Sequence, residues 1–226
     1  MRRLFLLSTT KQALDMIKSN PQIRNISRAL MKGNWTIGVT VTLIYFVIAS
    51  IAGASELVLN YFFKGIGSIV YFGLYLLVVL PLAFGFYIAF LRLCKEKSPL
   101  SLQDVLTPFK DRRYFAAGIY VQLLYTITVF LWSLLLIVPG IIKACAYILA
   151  PFIVAENPHI TAREALKLSA KMMQGHKMQL FRIVLTTIGW TLISIPFGMI
   201  PMFWITPYYM TIYTNFYLTV KEEYQQ

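Results

Sequence analysis

The chain has 226 residues, of which 58% are hydrophobic and only 13% charged, and it carries a formal net charge of +12. Soluble domains average roughly 45–50% apolar and about 25% charged residues, so this composition excludes an ordinary soluble domain. It indicates an all-α membrane protein, because a helix needs about 20 apolar residues to cross about 30 Å of hydrocarbon.

Residues 1–34 read as a cytoplasmic, amphipathic N-terminal segment. Met1-Arg2-Arg3 is a basic start, but the apolar run from Leu4 to Leu7 is too short for the core of a secretory signal. From about Pro21 to Lys32, Ile23, Ile26, Ser27, Leu30 and Met31 fall on one helical face, and Arg24, Arg28 and Lys32 on the other. A first span follows at 35–56, opened by Trp35 where an interfacial aromatic anchor belongs and closed by Glu56. The second span, 66–91, carries Pro81, which kinks a membrane helix without ending it.

Ser101-Leu102-Gln103-Asp104 begins a second amphipathic helix, with Leu102, Val105, Leu106 and Phe109 at helical spacing and Pro108 limiting its length. The next uncharged stretches are too long for single spans. Val138-Pro139-Gly140 divides one into spans 114–137 and 140–155, since Pro removes a helical donor and Gly permits a reversal. Thr161-Ala162-Arg163-Glu164 is a capping box for a third amphipathic helix, whose apolar face holds Ala165, Leu166, Ser169, Met172 and Met173 and which Gly175 ends. The segment Ile195-Pro196-Phe197-Gly198-Met199-Ile200-Pro201 divides the last stretch into spans 181–197 and 200–220. Gly189-Trp190 suggests close helix packing within the fifth span, and Pro207 kinks the sixth.

The expected architecture is one domain, 1–226, with six transmembrane helices arranged as three hairpins and a short cytoplasmic amphipathic helix before each pair. Ser27-x-x-Leu30-Met31-x-Gly33 matches Ser169-x-x-Met172-Met173-x-Gly175, which supports descent of the units from one ancestor. Of the 21 Lys and Arg residues, all but Lys64 and Lys143 lie on one side of the spans, so both termini are expected in the cytoplasm. Anionic headgroups at that face account for the positive charge more simply than nucleic acid does.

Ionisable groups at membrane depth are the natural place to seek function. Lys143 and Glu56 either serve as interfacial snorkelling groups or form a pair facing an outward cavity that holds a polar headgroup. Tyr209, Tyr213 and Tyr217 recur at i, i+4 and i+8, making either a packed helix seam or a ligand-lining stripe. The amphipathic helices either lie at the interface or dock a partner. His159 and His176 lack a partnered nucleophile or carboxylate cluster, Cys94 and Cys145 have no metal-binding spacing, and no phosphate-binding glycine loop occurs. Neither a catalytic residue, a metal site nor a cofactor is expected.

Several motifs together resemble a bacterial membrane family, domain of unknown function 975. They include Val138-Pro139-Gly140-Ile141-Ile142-Lys143, Ala150-Pro151-Phe152-Ile153-Val154-Ala155-Glu156-Asn157-Pro158, Ala162-Arg163-Glu164-Ala165-Leu166-Lys167-Leu168-Ser169 and, near the start, Ala29-Leu30-Met31-Lys32-Gly33-Asn34-Trp35. The resemblance covers nearly the whole chain and implies a six-span protein of the bacterial cytoplasmic membrane. The chain is similar, more distantly, to membrane domains fused to some glycerophosphodiester phosphodiesterases. No activity comes with the family. The expected function is a non-enzymatic module that binds or helps move a lipid or other amphiphile, such as a membrane-active peptide. The alternative is an accessory or scaffold subunit that docks a membrane or cytoplasmic partner.

Overall fold

The computed structural model describes residues 20–225. Arg2, Arg3, Lys11, Lys18 and the Leu4 to Leu7 run, with the expectations attached to them, lie outside the described residues. Among those described, the chain forms helices and turns with no strand, as the composition requires. In chain order the helices are α1 (Asn20–Met31), α2 (Trp35–Phe62), α3 (Ile66–Glu96), α4 (Leu102–Val105) and α5 (Thr107–Lys110). They continue with α6 (Arg112–Leu135), α7 (Ile137–Glu156), α8 (Ala162–Met172), α9 (Lys177–Phe197) and α10 (Met202–Tyr224).

Five of them, α2, α3, α6, α7 and α9, are long and apolar enough to cross a membrane. The sixth expected span coincides with α10, which falls outside that group. Its interior face mixes core residues such as Ile212, Phe216 and Val220 with buried Thr211, Thr214 and Asn215, and these polar residues lower its apolar character.

Prolines shape the helices in three places, and Pro81 and Pro207 do so within spans as expected. Pro81 follows a widened π turn at Tyr75–Val79, which accommodates the missing donor. Pro151 follows a break at Ile148 and Leu149 that divides α7, and Pro207 sits inside α10. The predicted reversal at Val138-Pro139-Gly140 is corrected. The chain turns at extended Leu136 (φ −161°, ψ 143°), and Pro139 falls in the first turn of α7, where a missing N–H is harmless. Gly140 serves contact instead of reversal, since a Cβ there would meet Ser133 Oγ at 2.2 Å.

The amphipathic helices α1 and α8 turn most of their apolar faces toward the protein itself. In α8, Thr161 and Glu164 form the predicted capping box, and Ala165, Leu166, Ser169 and Met172 are buried. Hydrogen bonds from the Thr161 hydroxyl and backbone N–H hold the Glu164 carboxyl below its ordinary range. Gly175 (φ +85°) ends α8 and Gly33 (φ +87°) follows α1, both left-handed, so the repeated motif is also a repeated stop. The middle copy departs from expectation. Pro108 interrupts it, leaving two four-residue helices in which Val105 is buried while Leu102, Leu106 and Phe109 are each 44% exposed.

A cyclic order joins these pieces. Helix α4 lies on α3, so close that a Cβ on Gly85 would sit 1.8 Å from the Val105 carbonyl oxygen. Helix α8 docks on α7, where Ser169 Oγ donates to the Ala146 carbonyl at 2.7 Å. Helix α1, the first of the described helices, docks on α10 at the far end of the chain, where Asn215 Nδ2 donates to Ser27 Oγ at 2.9 Å. The helices receiving these dockings, α3, α7 and α10, supply most of the buried interior. Their C-terminal ends meet at Glu156, whose carboxylate accepts from Lys95 at 2.5 Å, Lys221 at 2.6 Å and the Tyr217 hydroxyl at 2.6 Å.

Candidate functional site

Docking α1 between α9 and α10 creates the most chemically differentiated cavity among the described residues. Ile23, Ser27 and Met31 of α1 point inward, which leaves Arg24 and Arg28, one turn apart, at the helix edge facing α9. Asn20 Nδ2 donates to the Gln179 carbonyl at 3.3 Å, and an Arg24 guanidinium nitrogen donates to Thr186 Oγ1 at 2.9 Å. Helix α1 therefore runs alongside α9 as well as α10. The chain then turns at Gly33 and Asn34 into α2, and Trp35 stacks on Tyr208 of α10 with ring centroids 6.3 Å apart.

Between these elements lies a cavity of about 240 Å³. Arg24, Arg28 and Thr186 form its polar wall, and Trp35, Trp190, Trp204, Ile205, Tyr208, Tyr209 and Ile212 the rest. Trp190 and Trp204 are 53% and 51% exposed, so they stand at its open side. No carboxylate among the described residues pairs with either guanidinium. The Tyr208 hydroxyl is shielded from solvent and has no hydrogen-bond partner among the described residues. The arrangement joins concentrated positive charge and an unsatisfied donor to an aromatic trough, and so suits a molecule with one anionic end and one apolar end. A larger groove of about 580 Å³ lies between α6 and the start of α8, lined by Tyr120, Leu124, Ile127 and Ile160 with Arg163 at its edge. Its walls are almost wholly apolar, and ordinary acyl chains would fill it without selectivity.

The residues singled out in the sequence are scattered. Glu56, in the last turns of α2, accepts from Ser68 Oγ at 3.1 Å in the first turn of α3. Lys143 Nζ lies 4.6 Å from the Trp132 ring centroid and 3.5 Å from the Tyr147 hydroxyl. The two form no ion pair, so the paired reading is corrected: each is satisfied within its own pair of helices. Tyr209 is buried and lines the cavity, while the Tyr213 hydroxyl lies 3.1 Å from Thr187 Oγ1 in the seam between α9 and α10. The stripe is therefore mainly a packed seam, with one member facing the cavity.

Close packing at Gly189 is corrected as well, because no atom lies within 4 Å of where its side chain would begin. Trp190 serves the cavity instead. Pro207 packs against Gly38 of α2, where a Cβ would be 3.0 Å away. Among the described residues no group of three or more His, Cys, Asp and Glu is placed to hold a metal ion.

Arg24, Arg28, Trp204, Tyr208 and Glu156 were not recognised as site residues from the sequence. Arg24 and Arg28 carry one legible signal, their spacing on an amphipathic face just before an aromatic anchor. Nothing local could pair Arg24 with Thr186, 162 positions away.

Residues 16–146 and 134–224 match the model of a family described as protein of unknown function (DUF975). The chain belongs to this family. Both walls of the cavity lie within the DUF975 matches, Arg24, Arg28 and Trp35 in the first and Thr186 to Ile212 in the second. Searches of curated proteins and of solved structures each give no match.

Proposed function

We propose that this chain is a non-enzymatic, multi-pass protein of the bacterial cytoplasmic membrane that binds, or helps move, an amphiphile in the cleft between α1, α9 and α10. The observation that carries this reading is the gradient along one cavity, from two guanidiniums without carboxylate partners among the described residues to indoles on the open side. An amphiphile matches both ends, whereas a soluble solute would match only the first. The distant resemblance to membrane domains beside lipid-ester hydrolases points the same way, by analogy alone.

In this reading three helix pairs enter from and return to the cytoplasmic face, giving six membrane helices with both termini inside. The ends of α3, α7 and α10 share one level through Glu156, and the cationic loops lie at that end. The third pair is the shallowest. Phe203, next to the start of α10, meets Phe46 at 5.4 Å, and α2 continues from there to Phe62, roughly 24 Å further at 1.5 Å per residue. The apolar turn from Ile195 to Pro201 therefore lies within the bilayer, and the cavity beneath it opens sideways toward the inner leaflet. Single cysteines test this: a membrane-impermeant maleimide added outside should label Lys64→Cys quickly and Met199→Cys hardly at all. Equal labelling would remove the shallow third pair.

The alternative, an accessory subunit docking a partner, is favoured by exposed Leu102 of α4, Phe109 of α5 and Leu106 between them. It is weakened by α1 and α8, whose apolar faces are mostly occupied by the chain's own helices. Native mass spectrometry of gently extracted protein separates the two. A small adduct that survives mild activation supports amphiphile binding, and a stoichiometric protein partner without an adduct supports the subunit.

A further inference from the structure

We infer that the cavity between α1, α9 and α10 selects an anionic phospholipid of the inner leaflet, with its phosphate held by Arg24 and Arg28. This rests on the amphiphile reading above and names the class of amphiphile.

Arg24 and Arg28 are one turn apart on α1, so their side chains are neighbours. Two cations side by side repel, and here no carboxylate among the described residues relieves them. An oxyanion between them would, because each guanidinium presents a planar fork of donors that fits phosphate geometry. Arg24 is held by Thr186, which fixes one side of the fork. Among the described residues the Arg28 side chain has no hydrogen-bond or ion-pair partner, and it supplies the free side. The unsatisfied Tyr208 hydroxyl suits an ester or glycerol oxygen of the same ligand.

The volume of about 240 Å³ takes a headgroup and the first part of a chain. It is too small for a whole diacyl lipid, whose tails must leave past Trp190 and Trp204 into the surrounding bilayer. This differs from the general attraction of a basic surface for an anionic leaflet, which needs no cavity and no defined contact.

Tryptophan quenching by brominated lipids reads the site directly, since three of the four tryptophans line the cavity. The fourth, Trp132, sits beside Lys143 in a different region and serves as the reference. Full-length protein carrying Trp132→Phe, and a complementary form retaining only Trp132, are placed in phosphatidylcholine nanodiscs. Phosphatidylglycerol brominated on its acyl chains is then added in graded fractions, with brominated phosphatidylcholine in a parallel series.

The inference expects saturable quenching of the cavity tryptophans by brominated phosphatidylglycerol at low fractions, and equal quenching of Trp132 by both lipids. Arg28→Gln should shift the midpoint roughly tenfold, and Arg28→Lys should restore part of it. Arg28 is exposed and has no partner among the described residues, so Arg28→Gln is expected to leave the fold intact.

Saturable quenching by both lipids, indifferent to Arg28→Gln, would overturn the anionic class while leaving an amphiphile site. Bulk-like quenching by both would overturn the inference and the amphiphile reading together. Reversal by inorganic phosphate at concentrations matching the lipid's effect would identify a free anion as the ligand and overturn the lipid assignment.

Discussion

Helices α2 and α3 are similar in length and apolar content, with peak mean hydropathies of 2.1 and 2.4, yet 22% of the first apolar window is buried and 61% of the second. The same contrast separates α6 from α7, at 11% and 44%. The second member of the last pair, α10, is too polar to count among the apolar five. Hydropathy therefore says which helices enter a bilayer and nothing about which of them face one another. Lipid tails are as apolar as Leu, so burial in a membrane brings no hydrophobic gain between helices, and close packing and polar ties decide the interior. The inner helices carry Gly85, Ala89, Ala146, Ala150, Glu156, Thr211 and Asn215 at their contacts. The outer ones turn Leu, Ile, Phe and Trp outward.

The largest test of this contrast compares two glycines. Gly85→Ala would drive a methyl group into the Val105 carbonyl, forcing α4 off α3 at a cost of about 3 kcal/mol. Gly189→Ala, on outer α9, meets nothing within 4 Å and should leave stability unchanged or raise it by up to about 1 kcal/mol. Thermal unfolding followed through exposure of the buried Cys94 and Cys145 thiols would measure both. Equal losses would mean that α9 is packed as tightly as α3.

Next in size is the junction at Glu156. The carboxylate is 16% exposed and joins three helix ends, whereas Lys95 is 52% exposed. Glu156→Gln removes the charge shared by two lysines and should cost about 2 kcal/mol. Lys95→Met should cost about 0.5 kcal/mol, as a half-exposed pair does. If the lysine proved the costlier loss, Glu156 would not be the residue that ties the inner trio together.

Smaller again are the two copies of the repeated serine. Ser27→Ala and Ser169→Ala each delete one buried hydrogen bond, to Asn215 and to the Ala146 carbonyl, for about 1 kcal/mol apiece. A clear effect at Ser169 with none at Ser27 would show that α1 is not docked as α8 is, and the cyclic order would fail at its closing contact.

Local chemistry was legible wherever it acts over a single turn of chain. The Thr161 capping box, the left-handed glycines ending α1 and α8, and the breaks before Pro151 and around Gly198 all follow from neighbours in sequence. Pro139-Gly140 misled because Pro is equally at home just inside a helix start, and Gly where another helix comes close. The cavity was illegible for a different reason. Its guanidiniums are on α1 and its hydroxyl and indoles mostly on α9 and α10, and only the closure of the first amphipathic helix onto the last long helix brings them together. A stripe such as Tyr209, Tyr213 and Tyr217 shows which side chains share a face, but not whether that face meets a cavity, a hydroxyl or a carboxylate. Here one stripe meets all three.

The smallest effect expected concerns Lys143, the ionisable residue that looked most conspicuous in the sequence. Its ammonium lies over the Trp132 ring and near Tyr147, on outer α6 and its own helix, with no carboxylate partner among the described residues and no share in the cavity beside Arg24. An exposed cation–π contact contributes about 0.5 kcal/mol, so Lys143→Met should barely move the unfolding temperature. It should alter Trp132 emission and leave the other tryptophans, and their quenching by phosphatidylglycerol, as they were. Loss of that quenching would couple α7 to the cleft between α1, α9 and α10. The amphiphile would then have to pass Lys143, and the division between an ordered inner trio and a lipid-facing outer set would no longer describe how the molecule works.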